Sequence, residues 1–154
     1  MDFQTPISVC EYMVSLIDTK PLTILEPTPG EGNLVSVLLH KTNSKIYTPV
    51  DFFKYIHLEK YDYIVMNPPF TPMSVGYKIL YDCMEMSDNI IALMPWLTMI
   101  NGAKRTNDIM NFGLKSITHL PRKVFDGSRV QTCVLHMKRG YNNETMFYNY
   151  TDEI

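Results

Sequence analysis

Cysteine is scarce in this sequence, and nothing is arranged to use what there is. Cys10, Cys83 and Cys133 are odd in number and far apart, with no CxxC pair and no Cys/His cluster. That pattern argues against a disulfide framework and against a zinc site, and it fits a reducing, cytoplasmic setting. Long apolar runs are missing too: none approaches the roughly 20 residues that a bilayer-spanning helix needs. The opening MDFQTPISVC has no basic stretch followed by an apolar one, so neither export nor membrane insertion is expected. Internal repeats and low-complexity tracts are absent. With 154 residues, 45% hydrophobic and 19% charged, the chain can bury one good core and is short for two ordinary domains.

What is present begins with an uneven charge. The net charge is −2, yet residues 101–140 carry eight Lys/Arg (Lys104, Arg105, Lys115, Arg122, Lys123, Arg129, Lys138, Arg139) against Asp108 and Asp126. Such a segment suits a phosphate backbone; solvated faces of ordinary helices and strands are the alternative.

Short apolar runs alternate with helix-like segments. Thr5-Pro6 reads as a cap followed by a first-turn proline, with Ile7, Cys10, Met13, Val14 and Ile17 at helical spacing to about Asp18. LTILE (22–26), KIYTPV (45–50), YDYIVM (61–66), NIIALMP (89–95), KSITHLP (115–121) and QTCVLHMK (131–138) read as strands. NLVSVLLHK (33–41), a segment opened by Thr71-Pro72, and GAKRTNDIMNFG (102–113) read as helices. Alternation of this kind predicts a mostly parallel α/β sheet of about six strands, helices on both faces and ligands at the carboxyl ends of the strands. The tail 141–154 is polar and aromatic and has no assigned element.

Two segments carry chemistry. ILEPTPGEGN (24–33) sets an acid at a strand end, then Gly30 and Gly32, then a helix. Glycine allows a tight turn and close approach to bare backbone, and a helix start offers unpaired N–H groups. The Lys-Ser/Thr of a P-loop is missing. Glu26 and Glu31 stand there instead and would repel phosphate and attract a cation. A purely structural turn is the competing explanation.

The second segment is YIVMNPPF (63–70), an apolar strand that ends abruptly. Asn67 offers a carbonyl acceptor, proline brings no N–H to compete with an exposed carbonyl, and Phe70 offers a flat face. The Asn67 side-chain oxygen and the Pro68 carbonyl could hold both hydrogens of an exocyclic amine on a planar ring and free its lone pair. Asn-Pro as a simple turn signal is the bland alternative.

Together, EPTPGEG (26–32) and NPPF (67–70) resemble the S-adenosylmethionine-dependent adenine-N6 DNA methyltransferases, whose patterns are (D/E)PxxGxG and (D/N)PP(Y/F). FQTP (3–6) resembles their N-terminal segment over the cofactor's methionine end. HLPRKVFDGSRVQTCVLHMK (119–138) resembles their closing hairpin, and the motif order resembles the γ arrangement of restriction–modification enzymes. The resemblance covers nearly all of residues 3–139 and implies a Rossmann-like methyltransferase fold with an antiparallel C-terminal strand. It implies a catalytic domain over 1–140, with Asn67, Pro68, Pro69 and Phe70 catalytic. Phe3, Thr5, Pro6, Glu26, Pro27, Gly30, Gly32, Asp51, Phe52 and Asn67 would lie at the S-adenosylmethionine. Phe70, Phe125, Arg122, Lys123 and Arg129 would meet the target, an adenine flipped from its stack. No metal is required.

Two departures from the pattern bear on function. Between the first crossover helix and the NPPF strand, Asp51 is the one acid that answers to the pattern, where two are usual, so a strand–helix unit is expected to be missing. Only 14 residues follow Gly140, and no groove-reading element is visible. DNA binding is therefore expected to be weak alone, with specificity drawn from a separate subunit or another copy. The remaining functions are methylation of another amino group, in ribosomal RNA or a protein glutamine, or a methyltransferase-like subunit without activity.

Overall fold

A computed structural model describes residues 4–125 and 130–151. In chain order its elements are α1 (Ile7–Ser15), β1 (Thr23–Leu25), α2 (Asn33–Lys41), β2 (Lys45–Tyr47), β3 (Tyr63–Met66), α3 (Met73–Met86), β4 (Asn89–Pro95), the short α4 (Leu97–Ile100) and α5 (Ala103–Phe112). Then follow β5 (Leu114–Leu120), a 3-10 turn (Arg122–Val124), β6 (Thr132–Lys138) and β7 (Met146–Asn149).

Seven strands form one sheet in the order β2-β1-β3-β4-β6-β5-β7. β1 to β4 are mutually parallel, β6 runs antiparallel to β4 and β5, and β7 is parallel to β5. This is a Rossmann-like α/β architecture. Burial on both faces explains why β3 and β4 look like continuous apolar runs: alternate residues enter different cores. Ile64, Met66, Ile90, Ala92 and Met94 pack with Ile79, Leu80 and Cys83 of α3 and Ile109 and Phe112 of α5. Tyr63, Val65, Ile91 and Leu93 pack with Val9, Cys10 and Met13 of α1 and Leu34, Val37 and Leu38 of α2.

The chain leaves β1 toward β2 on one side and returns to β3 on the other, so the strand order reverses between β1 and β3. Their carboxyl ends, Leu25 and Met66, flank the crevice where open α/β sheets bind ligands. Residues 48–62, between β2 and β3, contain neither helix nor strand. A knot of rings holds them: Phe52 against Phe53 and His57, and His57 against Tyr61. His57 also bonds the Phe52 carbonyl through Nε2 at 2.9 Å and Tyr61 Oη through Nδ1 at 3.2 Å.

The structure departs from the sequence expectations in three respects. All six expected strands form, several of them trimmed at the ends, and a seventh, β7, comes from the tail and adds a sheet edge. The Thr-Pro pairs do not act as side-chain caps: Pro6 and Pro72 themselves precede α1 and α3, and among the described residues neither helix has a side-chain cap bond. Finally, the positive segment is scattered, and four of its eight cations are engaged within the protein. Lys115 Nζ lies 2.7 Å from Asp18, Lys104 Nζ 2.8 Å from Asp108 and Arg139 Nε 2.7 Å from Asp88. Arg105 donates to the Thr98 and Leu97 carbonyls and stacks on Tyr77. Antiparallel pairing of β5 with β6 puts Lys115 and Lys138 at one end of the sheet and the exposed Arg122 and Lys123 at the other.

Candidate active site

The crevice opens into a cavity of about 930 Å³. It gathers segments that are distant in sequence: Thr5, the turn from Glu26 to Glu31, Asp51 and Phe52, Asn67 to Phe70, and Phe125. Gly30 and Gly32 have φ of +54° and +95°, a region that carries a steric cost for any side chain. The chain therefore reverses from β1 into α2 within a few residues, and Gly32 caps the helix.

Glu26 follows the last residue of β1 and is 1% exposed. Its Oε1 accepts the Thr28 N–H at 2.7 Å. Burial pushes its carboxyl up to about 8, opposed in part by that N–H. A buried acid so raised sits close to the boundary between neutral and charged at physiological pH, and a neighbouring cation would favour its ionised form.

Across the crevice, Asn67 follows β3. The Thr28 hydroxyl donates to the Asn67 carbonyl at 3.0 Å, so the glycine turn and the NPPF strand end are tied to each other. Asn67 Nδ2 donates to the Thr5 hydroxyl, which leaves Oδ1 as the acceptor. Pro68 is buried and Phe70 half-buried, and the NPPF backbone rests on α3 at Gly76, where a Cβ would come 2.7 Å from the Pro69 carbonyl oxygen. Asp51, exposed at the cavity wall, accepts the Phe53 N–H at 3.0 Å.

Most of the expected site residues thus meet in one place. Thr5, Glu26, Pro27, Gly30, Asp51, Phe52, Asn67, Pro68, Pro69, Phe70 and Phe125 all line the cavity. Pro6, Gly32 and the exposed Arg122 and Lys123 are not among the lining residues. Phe3 and Arg129 lie outside the described residues. Sequence reasoning passed over Thr28 and Asn33. Thr28 sits inside the EPTPGEG turn, where a hydroxyl is a ready partner for nearby backbone; Asn33 was read only as the start of a helix.

No protein-family model matches the chain, and no curated protein matches it in sequence. Solved structures do match in fold. A modification subunit described as part of a type I restriction enzyme from Vibrio vulnificus YJ016 superposes with a TM-score of 0.73 at 18% identity, covering 99% of this chain and 48% of its own. The methyltransferase subunit of a type I restriction-modification system from Streptococcus thermophilus gives 0.70 at 14%, covering 96% and 47%. The 23S rRNA methyltransferase ErmE gives 0.66 at 16%, covering 90% and 70%. The chain spans about half the length of the two type I subunits, and what it shares with all three is the fold.

Proposed function

We propose that this chain is an S-adenosylmethionine-dependent N-methyltransferase that modifies the exocyclic N6 amine of adenine in DNA, presented as a flipped base. The observation that carries this is the meeting of the acidic glycine turn and the Asn-Pro-Pro-Phe strand end in one cavity, joined by the Thr28–Asn67 bond.

The residues present fit that cofactor. A buried carboxyl beside a turn with two positive-φ glycines suits a ligand bearing positive charge and disfavours a phosphate, and Asp51 and Phe52 bring an acceptor and a ring to the same cavity. The cofactor, when bound, supplies an electrophilic methyl group on a sulfonium centre. Everything else falls to the chain. Asn67 Oδ1 and the Pro68 carbonyl accept the two amine hydrogens, which draws the nitrogen lone pair out of the ring and toward the methyl group. Proline at 68 and 69 keeps competing N–H donors away from the amine. Phe70 and Phe125 offer faces to the base, and the apolar wall of Val75, Ile79 and Leu93 excludes water, which strengthens each hydrogen bond in the pocket. After transfer, the surplus amine proton passes to solvent at the cavity mouth.

Arg122 and Lys123 are the exposed cations beside the closing segment, while Lys104, Lys115 and Arg139 are already paired. That favours a weak, sequence-tolerant grip on DNA, with specificity supplied by a separate subunit or a second copy in the cytoplasm. The likeness to a 23S rRNA methyltransferase makes RNA the second substrate class. Incubation with labelled cofactor and either DNA or RNA, followed by mass spectrometry of the released nucleosides, tests the proposal. N6-methyladenine in DNA supports it, a product in RNA alone moves the activity to the second class, and no product with a folded sample and an authentic partner refutes both.

A further inference from the structure

Three polar contacts converge on Thr5, just ahead of α1, and they join the two halves of the site. Thr5 is 3% exposed. Its carbonyl accepts Asn33 Nδ2 at 2.8 Å and the Cys10 thiol at 3.8 Å, and its hydroxyl accepts Asn67 Nδ2. Asn33 is the first residue of α2, immediately past the glycine turn, and Asn67 ends the run from β3. A single residue, through its backbone carbonyl on one side and its hydroxyl on the other, therefore links the start of the cofactor-side helix to the amine-gripping asparagine.

That span matters because the two ends of an asparagine amide are nearly equal in shape and opposite in chemistry. A carbonyl turned to the substrate amine accepts its hydrogens; an NH2 turned the same way opposes donor with donor. With Nδ2 resting on the Thr5 hydroxyl, Oδ1 meets the amine and the nitrogen stays paired. Without that hydroxyl, the productive orientation leaves a half-buried N–H without its partner, at a cost that orients the amide the wrong way or lets it rotate.

We infer that Thr5 is a positioning residue for Asn67: seated by Asn33, it holds the asparagine amide so that Oδ1 accepts the substrate amine. This rests on the methyltransferase function proposed above, and it gives the N-terminal segment a task distinct from contact with the cofactor.

Thr5→Val keeps the side-chain shape and removes the hydroxyl; Thr5→Ser restores it. In steady-state methylation, Thr5→Val is expected to lower kcat about ten- to hundredfold while KM for the cofactor changes little, and Thr5→Ser to recover most of the rate. An unchanged kcat in Thr5→Val, or an equal loss in Thr5→Ser, overturns the inference. A second measurement needs no substrate. In 15N-labelled protein, the side-chain NH2 signal that vanishes in Asn67→Ala should exchange with solvent slowly in the wild type and in Thr5→Ser, and faster in Thr5→Val. Equal exchange in all three overturns the clamp itself. Slow exchange in a protein that methylates neither DNA nor RNA overturns the methyltransferase function, and the orienting role with it, leaving only a structural hydrogen bond.

Discussion

Replacing Glu26 by Gln swaps a buried acid for a neutral amide of the same outline, and the consequences for stability and for binding run in opposite directions. A free carboxyl of this type titrates at 4.5, the buried one at about 8. At about 1.4 kcal/mol per pH unit the difference is on the order of 5 kcal/mol. Because the folded pKa is raised, the acid costs nothing below about pH 4.5, where both states hold the proton, and stability is lost as pH rises from there through about 8. Near pH 7 the loss is on the order of 3 kcal/mol, a large share of the 5–15 kcal/mol that typically holds a domain together. The glutamine oxygen can still accept the Thr28 N–H, so the turn keeps its bond. Urea unfolding of wild type and Glu26→Gln at a series of pH values should show the variant more stable, with a gap that is small near pH 5, widens toward pH 8 and then levels off. Calorimetry on the same samples should show cofactor affinity reduced, and in the wild type rising with pH as the acid ionises. Equal stabilities at pH 8, or a gap that ignores pH, would refute the account of Glu26 as a strained acid kept for its charge.

Other outcomes follow from the same geometry. Asn67→Ala should cut kcat by roughly two to three orders of magnitude, the usual cost of losing an acceptor in a water-poor site, with cofactor affinity largely kept; calorimetry and rate measurements on one preparation check both. Gly76→Ala would drive a Cβ to 2.7 Å from the Pro69 carbonyl, and since backbone cannot step aside cheaply, a loss of about 1–3 kcal/mol in unfolding free energy and a fall in kcat are expected together. His136 is 4% exposed with Nε2 lacking a hydrogen-bond partner among the described residues, and burial, aided by Lys115, holds its pKa down from 6.5 to about 4. Its folded pKa is depressed, so its stability contribution is present above about pH 6.5 and is lost as pH falls through about 4, amounting to about 3 kcal/mol. His136→Phe should flatten that part of the acid unfolding curve, and an unaltered acid limb would contradict the assignment.

The centre of this fold was legible in the sequence and its margins were not, for reasons that lie in particular residues. β3 and β4 announce themselves because both faces of each are covered, so neither Ile64-Val65-Met66 nor Ile90 to Met94 contains a polar interruption. β7 is hidden because it is an edge strand exposed along its whole length, and Met146-Phe147-Tyr148-Asn149 shows no alternation to betray a buried face. The site was legible as types of chemistry: acid, paired glycines, acceptor, prolines, ring. Its wiring was not. A threonine before a proline ahead of a helix signals a cap, and nothing local says that the Thr5 hydroxyl reaches a residue 62 positions away. The charge pattern misled in the opposite way: eight cations within forty residues look like one surface, but a helix followed by two antiparallel strands sends neighbours in sequence to different ends of the sheet.

The anchoring of α1 bears on how the chain is made. Tyr12 bonds Thr118 at 2.5 Å across 106 positions and its ring meets that of Tyr150 at 5.4 Å, while Asp18 pairs with Lys115 at 2.7 Å across 97. A ribosome adding about 5–20 residues per second needs on the order of 5–30 s to deliver those partners after α1 has been made. During that interval α1 can rest on α2, whose Leu34, Val37 and Leu38 share its core, but its far side waits. The segment leading into α1 is therefore made well before the strand and tail residues that secure the helix's far side, so a nascent chain carries the glycine turn and the Asn-Pro-Pro-Phe strand end well before α1 is fully anchored.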